Sequence, residues 1–310
     1  MAKRMRNALI LAKTETTYGV DPTPTGAANA ILCSGISPNM MSAEFVDRDL
    51  QRPYLGASEQ LLASVKSELE FDVELTGSGT AGVAPAWGPL LKACAFGETV
   101  TESTDVVYKP VTDNIPSVTI FYYLDGLLHK MSGCRGTVSF ELSPKGIPKM
   151  KFKFTGKYTE PTDTSNPSSV DYSAFQVPKV ASTLNTPVWS LHGQTAPMSE
   201  FSVDVANDVI YRELIGASSV EITNRKPTGS VTFELNSIAT KNWYQTIADG
   251  DTGSVSMTHG TVAGNIVVIS APKAQIYSPS YKDEDGNAML SVSLSLIPDE
   301  GNDEISITVK

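Results

Sequence analysis

The stretch Val65-Lys66-Ser67-Glu68-Leu69-Glu70-Phe71-Asp72-Val73-Glu74-Leu75 decides the fold class. Leu69, Phe71, Val73 and Leu75 occupy alternate positions, and Glu68, Glu70, Asp72 and Glu74 fill the gaps between them. A period of two puts the two sets on opposite sides of a strand, one side apolar and the other a stripe of carboxylates. Residues 149–158 carry the matching pattern in the other charge. Met150, Phe152, Phe154 and Tyr158 share one face, and Lys149, Lys151, Lys153 and Lys157 share the other. Opposed on one sheet, such stripes pair across strands, each contact worth about 0.2–1 kcal/mol.

Working outward, strands are expected at residues 30–35, 117–124, 127–131 and 137–142, with a turn at Asp125-Gly126. Further strands are expected at 230–235, 253–258, 265–270, 274–281, 289–296 and 304–309. Asp285-Gly286 between two alternating runs is a strong hairpin signal. Helix is expected at 85–96, with Pro85 or Pro89 in its first turn and Gly97 as its stop, and at 238–248, which carries Trp243 and stops at Gly250. Val, Ile, Thr, Ser and Tyr are frequent, so the chain reads as mainly β with little helix.

A length of 310 residues suits two domains. Residues 1–27, with Asp21-Pro22-Thr23-Pro24-Thr25-Gly26, read as an N-terminal arm. Residues 28–160 form a first domain with a long loop at 36–66, residues 161–198 a Pro/Ser/Thr/Asp-rich linker, and residues 199–310 a second domain. The two domains echo one another. Glu70-Phe71-Asp72-Val73-Glu74-Leu75 aligns with Ser230-Val231-Thr232-Phe233-Glu234-Leu235, and Arg48-Asp49-Leu50 with Arg212-Glu213-Leu214. Each strand is followed by a short Trp-bearing helix, with Trp87 and Trp243. A duplicated β unit suits a subunit that builds a closed ring.

The charge balance argues against a general electrostatic grip on DNA. Lys and Arg total 24 against 34 Asp and Glu, a net charge of −10, whereas duplex binding needs clustered cations. Charged residues make up 19% of the chain, below the usual ~25%, which suggests a surface partly covered by partners. Cys33, Cys94 and Cys134 are odd in number and widely spaced, so neither a disulfide framework nor a zinc site is expected. The apolar run at 8–12 is too short for a signal segment, and no run spans a membrane. Synthesis in a reducing cytoplasm and no membrane binding follow as expectations.

The run Leu11-Ala12-Lys13-Thr14-Glu15-Thr16-Thr17-Tyr18-Gly19-Val20-Asp21-Pro22-Thr23-Pro24 resembles the opening of tail tube proteins of long, non-contractile-tailed bacteriophages. So do Arg48-Asp49-Leu50 through Tyr54-Leu55-Gly56-Ala57, and Ala84-Pro85-Ala86-Trp87-Gly88-Pro89-Leu90-Leu91. The resemblance implies two tandem β-sandwich domains, each with one short helix, joining into a continuous β-barrel on oligomerisation. It implies a structural virion protein, stacked as homotrimeric, pseudo-hexameric rings into the tube that conducts DNA. By the same resemblance its partners are further copies of itself, a tape-measure protein and the tail-end proteins, with only transient, non-specific passage of DNA. Tyr18, Arg48, Arg52 and Tyr54 are candidate ring-to-ring contacts, and the acidic stripe either lines the lumen or pairs with the basic one. On this reading residues 1–20 serve tube formation and are dispensable for folding. A single-ring tail or terminator component, a secretion-tube component and an adhesive or carbohydrate-binding β-sandwich are the alternatives.

Catalytic signatures are weak. Gly77-Ser78-Gly79-Thr80-Ala81-Gly82 matches a dinucleotide-binding pattern, but hairpin-like strands follow it instead of parallel ones. Asp283, Asp285 and Asn287 hint at a calcium loop, yet its Gly is misplaced and no Glu closes it. His129, His192 and His259 are isolated from one another and from any nucleophile motif. Neither enzyme activity nor a cofactor is expected.

Overall fold

The computed structural model describes residues 2–310. The elements run in the order β1 (Ala8–Thr14), α1 (Gly26–Asn29), β2 (Ala30–Ile31), β3 (Ser34–Asp47), β4 (Gln60–Glu74), α2 (Gly88–Ala93), β5 (Phe96–Thr101), β6 (Asp105–Pro110), β7 (Val118–Leu124), β8 (Leu127–Leu142), β9 (Lys149–Tyr158) and β10 (Thr162–Asp163). There follow β11 (Val188–Leu191), β12 (Met198–Asp204), β13 (Asn207–Leu214), β14 (Ala217–Arg225), β15 (Thr228–Glu234), α3 (Trp243–Asp249), β16 (Thr252–His259), β17 (Val267–Glu284), β18 (Asn287–Ile297) and β19 (Ser306–Val309). Every strand pairing is antiparallel.

The same order and the same pairings occur twice. In the first block β3 pairs with β4, β4 with β9, β9 with β8, β8 with β7 and β7 with β1. In the second, β12 and β13 run on as one arm against β14 and β15, β15 pairs with β18, β18 with β17, β17 with β16 and β16 with β11. Each block thus has a long hairpin, a short helix with a buried Trp, and one long strand, β8 or β17, that crosses from one sheet layer to the other. The hairpin β5–β6 is extra to the first block, and its β6 pairs with β19 of the second.

The blocks meet edge to edge. Residues Phe201, Ser202, Val203 and Asp204 of β12 face Leu142, Glu141, Phe140 and Ser139 of β8. One apolar core runs beneath both. Phe71, Phe152 and Phe154 stack at 5.8–5.9 Å between ring centres, and Trp189, Phe233 and Trp243 form the second cluster at 5.1–5.9 Å. Asn207 clamps the seam, its Nδ2 donating to the carbonyls of Cys94 and Gly136.

Several expectations change. Residues 8–14 are a core strand, not part of an arm. Ile10 and Ala12 enter the main core while Leu9 and Leu11 enter a second cluster with Phe121 and Tyr123 on the other side of the sheet. With both faces buried, the run shows no alternation to mark it as a strand. Glu15 then anchors the following turn. Its buried carboxylate accepts from Ser117 Oγ, Thr119 Oγ1 and the N–H groups of Gly19 and Gly133, all at 2.6–2.7 Å. Gly133 sits at φ +60°, where the backbone turns its N–H toward that carboxylate. The segments expected at 127–131 and 137–142 are one strand, interrupted by a bulge between Ser132 and Arg135. The expected loop at 36–66 is mostly ladder, with β3 and β4 flanking residues 48–59. Residues 188–191, expected within the linker, form β11, the counterpart of β1. The rest of the linker is strapped down: Ala181 and Gly146 bond backbone to backbone, Gly260 N–H donates to Asn185, and His259 holds Lys179 O and Thr186 Oγ1.

Two outcomes follow. Deleting residues 1–20 removes β1 and the Glu15 anchor, with buried Ile10 and Leu11 alone worth about 1.5–3 kcal/mol each. The truncated chain is expected to lose its cooperative unfolding transition by circular dichroism, and a transition near the full-length midpoint would refute this. Burial pushes the imidazoles of His259 and His192 below their ordinary pKa. The unfolded chain, titrating near ~6.5, therefore takes up protons first, so this part of the stability is complete above that pH and declines as pH falls. The urea midpoint should drop between pH 7.5 and 5, and His259→Gln should flatten the decline.

Candidate functional site

The outer face of the joined sheet is a continuous polar floor, and register lays its side chains out in rows. One row runs Asp72, Lys151, Ser139, Asp204, Thr228, Ser295 across β4, β9, β8, β12, β15 and β18. The next runs Glu74, Lys149, Glu141, Ser202, Ser230, Ser293. Strand alternation creates this floor, because the intervening positions Phe71, Val73, Phe140, Val203, Val231 and Val292 are all buried.

The two halves of the floor differ in chemistry. The first block carries ion pairs. Glu70 meets Lys153 at 2.9 Å, Asp72 meets Lys149 at 3.3 Å, and Glu141 meets Lys151 at 2.6 Å. Hydrogen bonds donated to the carboxylates of Glu141 and Glu70 hold the Lys151 and Lys153 ammonium groups above their ordinary pKa. These side chains lie at the solvent boundary, between 21% and 58% exposed, so each pair adds between nothing and about 1 kcal/mol. Glu68 is paired with Lys66 of its own strand at 2.9 Å. Glu74 lies opposite Lys149 in register. Lys157 leaves the stripe, its Nζ lying 4.9 Å from the centre of the Tyr18 ring. The second block carries hydroxyls instead: Ser202 and Ser230 bond at 2.9 Å, and Thr232 reaches Ser291 at 3.1 Å. Lys282 and Glu200 form the ion pair at its far side, 3.0 Å apart.

Sequence reasoning singled out the β4 and β9 stripes but missed Glu141, Glu200, Lys282 and the serine rows. The alternation Ser291, Ser293, Ser295 between Leu290, Val292, Leu294 and Leu296 was the available signal.

The long hairpins end in exposed apolar tips. Residues 45–62 expose Phe45, Val46, Leu50, Tyr54, Leu55, Leu61 and Leu62, and the shorter second hairpin exposes Ile210, Leu214 and Ile215. Arg48 and Arg52 both reach Glu59 at the first tip. Tyr18 lies elsewhere, half-buried under Arg135 and Lys157, and its hydroxyl accepts the Val220 N–H at 2.6 Å.

The glycine-rich loop is filled by the chain itself. Gly79 N–H donates to Gly264 O at 2.9 Å and Gly77 N–H to Asn265 Oδ1 at 2.6 Å. A Cβ on Gly77 would lie 2.0 Å from the Gly264 carbonyl oxygen, so the glycine permits close block-to-block packing. Asp283 receives the Gly286 N–H at a tight turn in which Asp285 and Gly286 both have positive φ. His192 Nε2 lies 2.8 Å from the Ala274 carbonyl oxygen.

No helix is long and apolar enough to cross a membrane among the described residues. A search of curated proteins finds no match to the chain. A family model does match: that of the phage tail tube protein aligns with residues 5–308, both β blocks and the seam between them. The chain therefore belongs to the phage tail tube proteins, structural proteins of the virion tail that self-assemble into the tube conducting DNA.

Proposed function

We propose that three copies of this chain close into a pseudo-sixfold ring, that the rings stack, and that the polar floor of the joined sheet lines the bore. The observation that carries this is the edge-to-edge joint of two like blocks in one chain. Two blocks per chain make six in a ring of three, the symmetry the family resemblance implies. A floor of paired charges and hydroxyls suits a conduit. It presents few free cations to phosphate, and phosphate contacts by cations are what hold DNA.

The apolar hairpin tips, with Arg48, Arg52 and Tyr54 on the longer one, meet the adjacent ring. Exposed apolar patches of this kind mark interaction surfaces. Tyr18 assists from within by holding β14 at the base of the second tip. The chain acts without catalysis or cofactor. The resemblance adds a tape-measure protein in the bore before DNA enters, and tail-end proteins at the termini. Synthesis in the host cytoplasm accords with three unpaired cysteines.

Negative-stain microscopy of concentrated protein separates this reading from a single-ring component or an adhesive module. Long hollow tubes with regular striations are expected, and isolated rings or monomers would count against it. The bore assignment has its own test. Glu70→Gln, Asp72→Asn and Glu141→Gln together release Lys149, Lys151 and Lys153 to face phosphate. Tubes should form normally while DNA ejection from phage carrying the variant slows several-fold, more so at low salt. Unchanged ejection kinetics would remove this face from the bore.

A further inference from the structure

The joined sheet ends in two open edges, and the repeat within the chain says how they fit together. At one end, among the described residues, β3 pairs only with β4. At the other, β17 beyond residue 275 pairs only with β18. These are the two strands whose counterparts meet inside the chain, since β3 corresponds to β12 and β17 to β8.

Register makes the correspondence residue by residue. Val73 of β4 aligns with Phe233 of β15. Val73 faces Met150, which faces Phe140; Phe233 faces Leu290, which faces Tyr281. Tyr281 is therefore the counterpart of Phe140, Ser280 of Ser139 and Lys282 of Glu141. On the other edge Glu70 aligns with Ser230. Glu70 faces Ser37 and Ser230 faces Ser202, so Ser37 matches Ser202, Pro38 matches Val203 and Asn39 matches Asp204. Inside the chain Phe140 faces Val203, Ser139 faces Asp204 and Glu141 faces Ser202.

We propose that β17 of one copy pairs antiparallel with β3 of the next in this same register, placing Ser280 opposite Asn39, Tyr281 opposite Pro38 and Lys282 opposite Ser37. The proposal rests on the ring reading above and names the strands and register that close it. Burial supports it. Phe140 and Val203 are each 1% exposed at the internal joint, whereas Tyr281, the counterpart of Phe140, is 68% exposed at the open edge and Pro38, the counterpart of Val203, is half-buried. An aromatic at a position that its repeat partner buries is a contact awaiting its other half. The parity of the strands also agrees, because register places Ser37, Asn39, Ser280 and Lys282 at the positions of Ser202, Asp204, Ser139 and Glu141 in the polar rows.

One feature separates the two joints. Val205 N–H donates to Val138 O, and period two directs Val203 N–H toward β8 as well. Pro38 stands at the position of Val203 and has no N–H to give. The joint between copies is one ladder hydrogen bond poorer than the joint within a chain. A proline on an outward edge also discourages pairing with the wrong strand.

The test is cross-linking in assembled protein, on a Cys33→Ser background. Ser37→Cys with Lys282→Cys, and separately Asn39→Cys with Ser280→Cys, place thiols at directly opposed positions of adjacent copies. Ser37→Cys with Ser280→Cys is slipped by two residues. Under mild oxidation both matched pairs should give covalent oligomers at least ten-fold faster than the slipped pair, with the ladder ending at the trimer when the ring closes. Tubes that form but show no preference for the matched pairs would overturn the register while leaving the tube reading intact. Failure of the Cys33→Ser protein itself to form rings or tubes would overturn both.

Discussion

The ladder between β8 and β12 is the interaction on which the remaining architecture depends. A sheet edge exposes unpaired N–H and C=O groups, and a stable protein covers it, blunts it or closes it. Here the chain closes one pair of edges internally, joining two four-stranded halves into one surface. That ladder aligns the polar rows across six strands, sets the seam that Asn207 clamps, and leaves β3 and the tail of β17 as the two ends still open. The apolar core follows from the same alignment, because facing strands in register put Phe71, Phe140, Phe152 and Phe201 on one side together.

Most of the strand architecture was legible wherever only one face of a strand is buried. Residues 65–75 and 149–158 alternate because solvent and core take turns along them. Legibility failed at the two extremes. β1 is sandwiched between two apolar clusters, so Leu9, Ile10 and Leu11 form a continuous run that looks like no particular element. The outer part of β3 is broken by register shifts between Asn39 and Ser42 and between Glu44 and Phe45, so Met40, Met41, Ser42 and Glu44 follow no period although the strand still pairs with β4 on either side of each break. The hairpin β5–β6 carries no signal in the sequence reading, which passes from a helix at 85–96 to a strand at 117; Phe96, at the end of that helix, is in fact the first residue of β5. Boundaries between blocks blurred for a related reason: β11 has only four residues and follows a stretch dominated by proline and hydroxyl side chains.

The candidate site was legible in halves as well. Charge alternation drew attention to β4 and β9, and register brings Glu70 to Lys153 and Asp72 to Lys149. The neutral half drew none, because serines spaced by two have no charge to advertise them. The motif with the most familiar chemistry, the glycine-rich run at 77–82, proved to be packing. Its amides are engaged by a turn of the other block, a use of glycine that depends on small size and not on affinity for phosphate.

The dissimilarity of the two blocks has a consequence for the tube as a whole. Were the six lobes around the bore identical, every side-chain change would be felt six times per ring, and tuning would be coarse. A chain with one ion-paired half and one hydroxyl-bearing half repeats each change only three times in a ring of three. With the polar floor lining the bore as proposed, the wall facing DNA would alternate between two textures, and each could drift without dragging the other along. In the proposed ring, duplication within one chain would thus trade symmetry for finer adjustment of friction along the conduit.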